Sequence, residues 1–305
     1  MQRSFSIITT CKGRLEHLRQ TLPTMLEQGA AEVIVVDYSC PDGTADFVER
    51  EFPQAKVVRV EGEKGFSNWK ARNAGAAVAT GDLLLFCDAD TILAANAGQK
   101  IAGELPPKTF GFFKRGSTER FNKAGLRLGA NQLRGFHAIP ARVYRRLGGY
   151  DEVLLGWGAG GDTDLEERLV LAGFAARPLD PALVEDVIQH DNTDRTRHHV
   201  DSIKVSYCAG LLYRRAKLTL LHVRRRLNLP LEVRQQIYDK ARAAAGNLGG
   251  RDTVALTIDL EHKPIGMPLQ LGYRRAAQKV VLRIEVSGVD KVDKIPDLID
   301  AKLER

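Results

Sequence analysis

Between Phe5 and Asp90 the chain alternates short, β-branched apolar runs with segments whose leucines and alanines recur at helical spacing, and few folds accept that rhythm. Phe5 to Thr10 reads as a strand, and Arg14 to Gln28 as a helix with Leu15, Leu18, Leu22, Met25 and Leu26 spaced for burial. Glu32 to Val36 is a buried strand ending in Asp37. A turn, SCPDGT, leads into a short helix at Thr44 to Phe52, then a strand at Lys56 to Val60 and an alanine-rich helix at Asn68 to Ala79. Leu83 to Cys87 is a fourth strand, running into Asp88-Ala89-Asp90. This alternation predicts an α/β fold with a doubly wound, mostly parallel central sheet and helices on both faces. Ligands of such sheets lie beyond the carboxyl ends of the strands, where strand order reverses. Thr9 to Lys12, Asp37 to Ser39 and Asp88 to Asp90 therefore share one rim.

Composition narrows the class further. With 305 residues, 44% of them apolar, the chain can bury a substantial core and is too apolar for general disorder. No run approaches the ~20 apolar residues of a spanning helix, and the N-terminus has no apolar core of signal-peptide length. Cys11, Cys40, Cys87 and Cys208 are scattered without CxxC spacing, which argues against a zinc site or a disulfide framework and for a reduced, cytoplasmic chain. A net charge of +7 calls for an anionic partner. Much of that excess lies between Lys204 and Arg226, where Lys204, Arg214, Arg215, Lys217, Arg224, Arg225 and Arg226 occur with no acidic residue among them. The character changes near residue 200, giving a catalytic domain at 1–200 and a basic, mainly helical extension at 201–305, with a mixed tail after the glycine-rich break at Gly246 to Gly250. From Leu93 to Arg146 the strands at Phe110 to Lys114 and Gly135 to Ile139 read as a mixed extension of the sheet.

FCDAD is the sharpest chemical feature. If Asp88 and Asp90 project from a strand they point to the same side, and two carboxylates 4 Å apart repel by ~4 kcal/mol at an effective dielectric near 20. A shared proton, or a divalent cation such as Mn2+ or Mg2+ completed by water and phosphate oxygens, is the expected remedy; taken alone, the triplet reads more simply as a solvated turn with a helix cap at Asp90. In GGYDEVLLGWGAGGDTDLEERL, Asp162 and Asp164 sit between a glycine-rich loop and a helix, where a carboxylate could act as a general base and Trp157, followed by Gly158, could wall a sugar pocket. A helix start also attracts acids for its dipole alone. His190, in VEDVIQHDN, could complete a metal shell or be structural.

The order of these pieces over roughly residues 3 to 195 resembles the GT-A glycosyltransferases, family 2 in particular, with a C-terminal catalytic segment similar to that of galactosyltransferases and chondroitin-polymerase-type enzymes. Five ordered motifs carry the resemblance: FSIITTCKGRLEHLRQTL, VIVVDYSCPDGT, KGFSNWKARNAGAAVATGDLLLFCDAD, GFHAIPARVYRRLGGYDE and GWGAGGDTDLEERL. It implies a GT-A, Rossmann-like sheet and a metal-dependent, inverting transfer of a sugar from a UDP-sugar to a hydroxyl of a glycan or glycoconjugate, as in bacterial-type surface polysaccharide synthesis. It assigns Thr9, Cys11 and Asp37, and less firmly Asp42, to the uridine, and lays Asn68, Arg72 and Asn73 along the nucleotide. Asp88 is assigned to the ribose and the metal-diphosphate, Asp90 and His190 to the metal, Asp162 to the base, and Trp157, Gly158 and Asp164 to the sugar pocket. The sequence departs from the family at Cys11, where many members carry an aromatic residue, at Tyr38, in place of a second acid, and at Gly161, in place of a glutamate.

A metal suits a diphosphate leaving group, whose developing charge it can neutralise, and a single base suits transfer better than hydrolysis. The competing enzymatic reading is a sugar-nucleotide pyrophosphorylase, but TTCKGRLEH lacks that class's glycine-rich phosphate loop. A nonenzymatic basic module binding a membrane or nucleic acid is the competitor from another class. Nucleic acid has only charge in its favour, whereas peripheral contact with the inner face of an anionic membrane is compatible with the basic run.

Overall fold

The computed structural model describes residues 3–113, 120–121, 127–128, 133, 135–189, 197–199, 201–247, 253–265 and 276–288. The chain divides into two compact units, one of Met1–Glu152, Gly161–Val200 and Lys294–Arg305, the other of Val153–Gly160 and Asp201–Asp293.

The first unit runs β1 (Phe5–Cys11), α1 (Leu15–Leu26), β2 (Glu32–Tyr38), α2 (Thr44–Glu51), β3 (Lys56–Val60), α3 (Asn68–Val78), β4 (Leu83–Phe86), β5 (Thr91–Leu93), α4 (Ala97–Glu104), β6 (Thr109–Phe112), β7 (Arg120–Phe121), β8 (Arg127–Leu128), β9 (His137–Pro140), α5 (Ala141–Arg146), α6 (Gly161–Leu171), β10 (Ala175–Pro178) and β11 (Val184–Val187). Seven strands form the central sheet in the order β10-β6-β9-β4-β1-β2-β3, with β1 parallel to β2 and β4, and β9 antiparallel to β4 and β6. The expected α/β architecture is therefore present, and the strand order reverses beside β1. β1 is buried at all seven positions, as a strand covered on both faces must be. α1 turns Leu15, Leu18, Leu22 and Met25 inward, and each such side chain contributes ~1.5–3 kcal/mol when fully removed from water. α3 lies so close to the sheet that a Cβ at Gly75 would stand 2.6 Å from Ile8 Cγ2 and 2.9 Å from Val36 Cγ2, which explains the small residues of that helix.

The triplet Asp88-Ala89-Asp90 follows β4 as a turn instead of continuing it, and β5 then pairs with β11 in a small antiparallel sheet. Its backbone is pinned at each residue. Asp88 O accepts from Thr91 N at 3.1 Å, Ala89 O from Thr21 Oγ1 at 2.8 Å, and Asp90 O from Ile188 N at 2.8 Å.

The second unit contains α7 (Ile203–Arg224), α8 (Leu231–Gly246), β12 (Thr253–Ile265) and β13 (Ala276–Ser287). α7 buries Leu212, Tyr213, Ala216 and Leu220, and α8 buries Ile237, Tyr238 and Ala241. Tyr213 and Tyr238 meet edge to face at 5.5 Å. The residues read only as a mixed tail form an antiparallel hairpin whose Val254, Leu256 and Ile258 are buried on alternate positions. Among the described residues no helix is long and apolar enough to cross a membrane.

Candidate functional site

The site grows from one buried arginine. Arg72, on α3, is 1% exposed, and both ends of its guanidinium are engaged. Nη2 donates to Asp88 Oδ1 at 2.6 Å and to Gly135 O at 2.7 Å; Nη1 donates to Tyr150 Oη at 2.9 Å and to Asp162 Oδ1 at 3.2 Å. A cation so enclosed is costly unless paired, and its burial, which by itself disfavours the charge, is overcome by Tyr150 and the facing carboxylates, which hold it protonated. Asp88, at the end of β4, and Asp162, in the first turn of α6, are thus brought to opposite ends of one guanidinium although 74 residues of sequence separate them.

Around Arg72 lies a layer that sequence reasoning missed. The β4–β9 register sets His137 opposite Phe86. From there Nε2 reaches Glu166 Oε1 at 3.0 Å, and Nδ1 lies 3.2 Å from Tyr150 Oη and 3.6 Å from Asp162 Oδ1. Tyr150 stacks on Trp69, with centroids 5.3 Å apart. Trp69 in turn explains Gly161, since a Cβ there would stand 2.5 Å from the indole Cε2. Any larger residue, the glutamate of the family pattern included, would displace the ring. Gly135 serves Asp88 similarly, its virtual Cβ overlapping the carboxylate. In the sequence GFHAIP shows only a strand, and the pairing that gives His137 its place is nonlocal.

The expectation that Asp88 and Asp90 project together from a strand needs correction. Because the triplet is a turn, Asp88 pairs with Arg72, while Asp90 Oδ2 lies 3.1 Å from Arg14 Nη1 at the start of α1. Each carboxylate has its own guanidinium, which relieves the repulsion between them. Asp88 remains one-third exposed, and among the described residues its Oδ2 makes no hydrogen bond. Oxygen donors of this type suit a hard divalent cation. Among the described residues no group of three His, Cys, Asp or Glu side chains converges on a metal position. His190 lies outside the described residues.

The remaining assigned residues divide by burial. Thr9 and Cys11 have no exposed surface, because β1 is central and covered on both faces; here their side chains pack and do not present themselves to a nucleotide. Asp37 uses both oxygens locally, accepting from Cys40 N at 2.7 Å and Ala45 N at 2.8 Å, and so shapes the turn into α2. Asp42 Oδ2 accepts from Leu15 N at the start of α1. Asn68 Oδ1 accepts from Thr10 Oγ1, and Asn73 clamps the loop at Tyr150 through its backbone N–H and C=O. Asp164 is not available to a sugar. It is 3% exposed and paired at 2.8 Å with Arg168, whose other nitrogens bind Leu147 O and Gly149 O, stapling α6 to the turn after α5. Trp157 and Gly158 belong to the segment that clusters with the C-terminal unit. Lys12, placed on the rim by the sequence but given no role there, ties it together through Tyr38 O, Ser39 O and Glu63 O at 3.1, 3.2 and 2.7 Å.

Residues 6–125 match the family model described as Glycosyl transferase family 2. The chain carries a glycosyltransferase domain. Solved structures agree at the level of fold, which is GT-A. The mannosyltransferase PcManGT from Pyrobaculum calidifontis, in complex with GDP-Man and Mn2+, superimposes with a TM-score of 0.52 at 17% identity, over 81% of this chain and 76% of that one. S. aureus TarS 1–349 gives 0.51 at 15% identity, over 79% and 71%. GalNAc-T7 with UDP, GalNAc and Mn2+ gives 0.51 at 15% identity, over 78% of this chain and 54% of that one. A search of curated proteins returns no match.

Proposed function

We propose that the glycosyltransferase domain moves a sugar from a UDP-sugar to a hydroxyl of a glycan or glycoconjugate acceptor with inversion, in a pathway that builds surface polysaccharide. The observation that carries this reading is the Arg72 bridge, which fixes the donor-side carboxylate Asp88 and the acceptor-side carboxylate Asp162 in one rigid frame. Support for a sugar-nucleotide donor comes from the family match and from neighbours solved with GDP-Man or UDP. The likeness to galactosyltransferases beyond residue 125 is part of the same proposal.

Asp88 and Asp90, with His190, are the residues that would hold Mn2+ or Mg2+, which supplies positive charge to the departing diphosphate. Asp162 accepts the proton of the acceptor hydroxyl as the new glycosidic bond forms. Arg72 holds one oxygen of Asp162 at 3.2 Å, and the side chain keeps part of its surface open for the acceptor hydroxyl. His137 and Tyr150 orient that carboxylate, and Glu166 fixes the imidazole from its far side. Asp37 and Lys12 act on the donor through the loops they hold, not by direct contact. A UDP-release screen across UDP-sugars tests the proposal, with release expected for one sugar in Mn2+ and abolished by EDTA. Full turnover in exhaustively chelated protein removes the metal; silence across all UDP-sugars with acceptor extracts removes the donor class.

For the C-terminal unit we infer peripheral contact with an anionic membrane surface. Structure reduces the basic run to its exposed members, because Lys217 is 1% exposed and lies over the Tyr213 ring. Arg215, Arg224, Arg225 and Arg226 remain at the surface, beside the exposed aliphatics Val223 and Leu231. Aliphatic side chains among arginines suit a lipid headgroup layer, where each basic residue contributes about 1 kcal/mol.

A further inference from the structure

Of the chain's four cysteines, Cys11, Cys87 and Cys208 are buried and only Cys40 is partly exposed. Its sulfur occupies a cradle of donors. Gly13 N–H, from the loop after β1, and the Thr44 hydroxyl, at the first residue of α2, each lie 3.1 Å from Cys40 Sγ. The same hydroxyl lies 3.3 Å from Cys11 Sγ, so one side-chain oxygen touches both sulfurs. A helix start and converging donors are the surroundings in which a thiol becomes a thiolate. We propose that Cys40 is a redox-modifiable thiol that a peroxide oxidises and that Cys11 then captures as an intramolecular disulfide, tying the end of β1 to the loop after β2.

The Cys40 thiolate attacks one peroxide oxygen, the O–O bond breaks with loss of hydroxide, and the sulfur becomes a sulfenic acid. Cys11 sulfur then attacks Cys40 sulfur; the S–S bond forms, the S–O bond breaks, and the hydroxyl leaves with the Cys11 proton as water. Two electrons pass from the thiol pair to the peroxide. The two sulfurs that react lie on either side of the Thr44 hydroxyl, which touches both.

Hydrogen bonding from Cys11 lowers the Cys40 thiol against a burial penalty, and with Thr44 and the N–H groups of Asp42 and Gly13 it brings the pKa to about 6. Cys11 is pushed up by the same bond and by burial. The charged groups nearby are committed elsewhere: Asp37 and Asp42 to backbone N–H groups, Lys12 to three carbonyls, and Arg14 to Asp90.

Treating the full, reduced chain with hydrogen peroxide and mapping its peptides tests the proposal. The expected product is one Cys11–Cys40 linked peptide, with Cys87 and Cys208 unmodified. In Cys11→Ser, Cys40 should stop at a dimedone-trapped sulfenic acid. Because that variant alters the core, a second measurement uses the native chain: iodoacetamide should alkylate Cys40 about tenfold faster at pH 6 than an ordinary cysteine, the gain in thiolate outweighing its weaker nucleophilicity. No linked peptide under peroxide, or an ordinary alkylation rate at pH 6, overturns it. These covalent readouts stand apart from the donor reading. On that reading, oxidation also couples to nucleotide binding, because Cys40 N–H bonds to Asp37. A dithiothreitol-reversible loss of UDP affinity supports the coupling, and a linked peptide with unchanged affinity overturns it alone.

Discussion

Two acids of the same sequence motif have opposite fates here. Asp162 keeps 19% of its side chain exposed at one end of Arg72, whereas Asp164, two residues on, is enclosed with Arg168. Asp162→Asn should lower kcat by about 10²–10⁴-fold, the usual share of a general base, and leave UDP-sugar affinity within a factor of two. Unchanged turnover in a UDP-release assay removes Asp162 from the mechanism. Arg72→Met should cost about 3 kcal/mol in urea unfolding, toward the lower end for a broken buried pair because Asp88 can still reach water, and should abolish transfer as well. Asp162 was legible as a candidate because an acid at a helix start after a glycine loop is a recognisable pattern. Arg72 was legible only as a residue of interest. That it pairs with Asp88 and Asp162 together depends on β4, α3 and α6 meeting, and no local pattern encodes such a meeting.

At the scale of elements, α6 begins where it does because Gly161 leaves room for Trp69. Gly161→Ala should destabilise by about 1–3 kcal/mol, as overpacking against a rigid ring does. A Trp69→Leu background should largely restore stability, and no restoration would deny the contact. The start of β2 is held differently. Glu32 Oε1 accepts from Ser6 Oγ at 2.8 Å, Thr80 N at 2.6 Å and Thr80 Oγ1 at 2.8 Å. Burial opposes its ionisation, yet these donors and Lys56 bring its pKa below the usual glutamate range. A depressed carboxylate contributes stability that is fully present above about pH 4.3, the unfolded value, and is lost as pH falls through the folded one. Glu32→Gln should therefore flatten the acid limb of a pH–stability curve while changing its neutral plateau less. An unaltered acid limb would show that Glu32 is not a coupled group. Strands β1, β2 and β4 were readable because a strand buried on both faces is rich in apolar and β-branched residues, and the edge strand β3 because its valines are bounded by polar turns. β5, β10 and β11 were not, since three- and four-residue strands, one of them exposed at every position, carry no periodicity of their own.

For the whole molecule, a chain with net charge +7 invites an anionic partner, and the structure separates the exposed part of that charge from the part spent internally. Lys12 and Arg72 are consumed by carbonyls and carboxylates, and Lys217 is buried. Flotation with vesicles containing anionic lipid should recover the protein at low salt, and the triple change Arg224→Glu, Arg225→Glu and Arg226→Glu should abolish recovery. Binding that survives that change would locate the contact elsewhere or deny it. The amino-acid sequence by itself determined the layer architecture, which strand ends share one rim and most of the acids worth testing, because hydrophobic period and turn chemistry are local properties. Only the tertiary structure decided which of those acids stay open, which guanidinium each one faces and which cysteine has a second thiol beside it. Those outcomes depend on side chains far apart in the chain being brought within 3 to 4 Å, and the distance between two charges, not their presence in the sequence, sets what they do to each other.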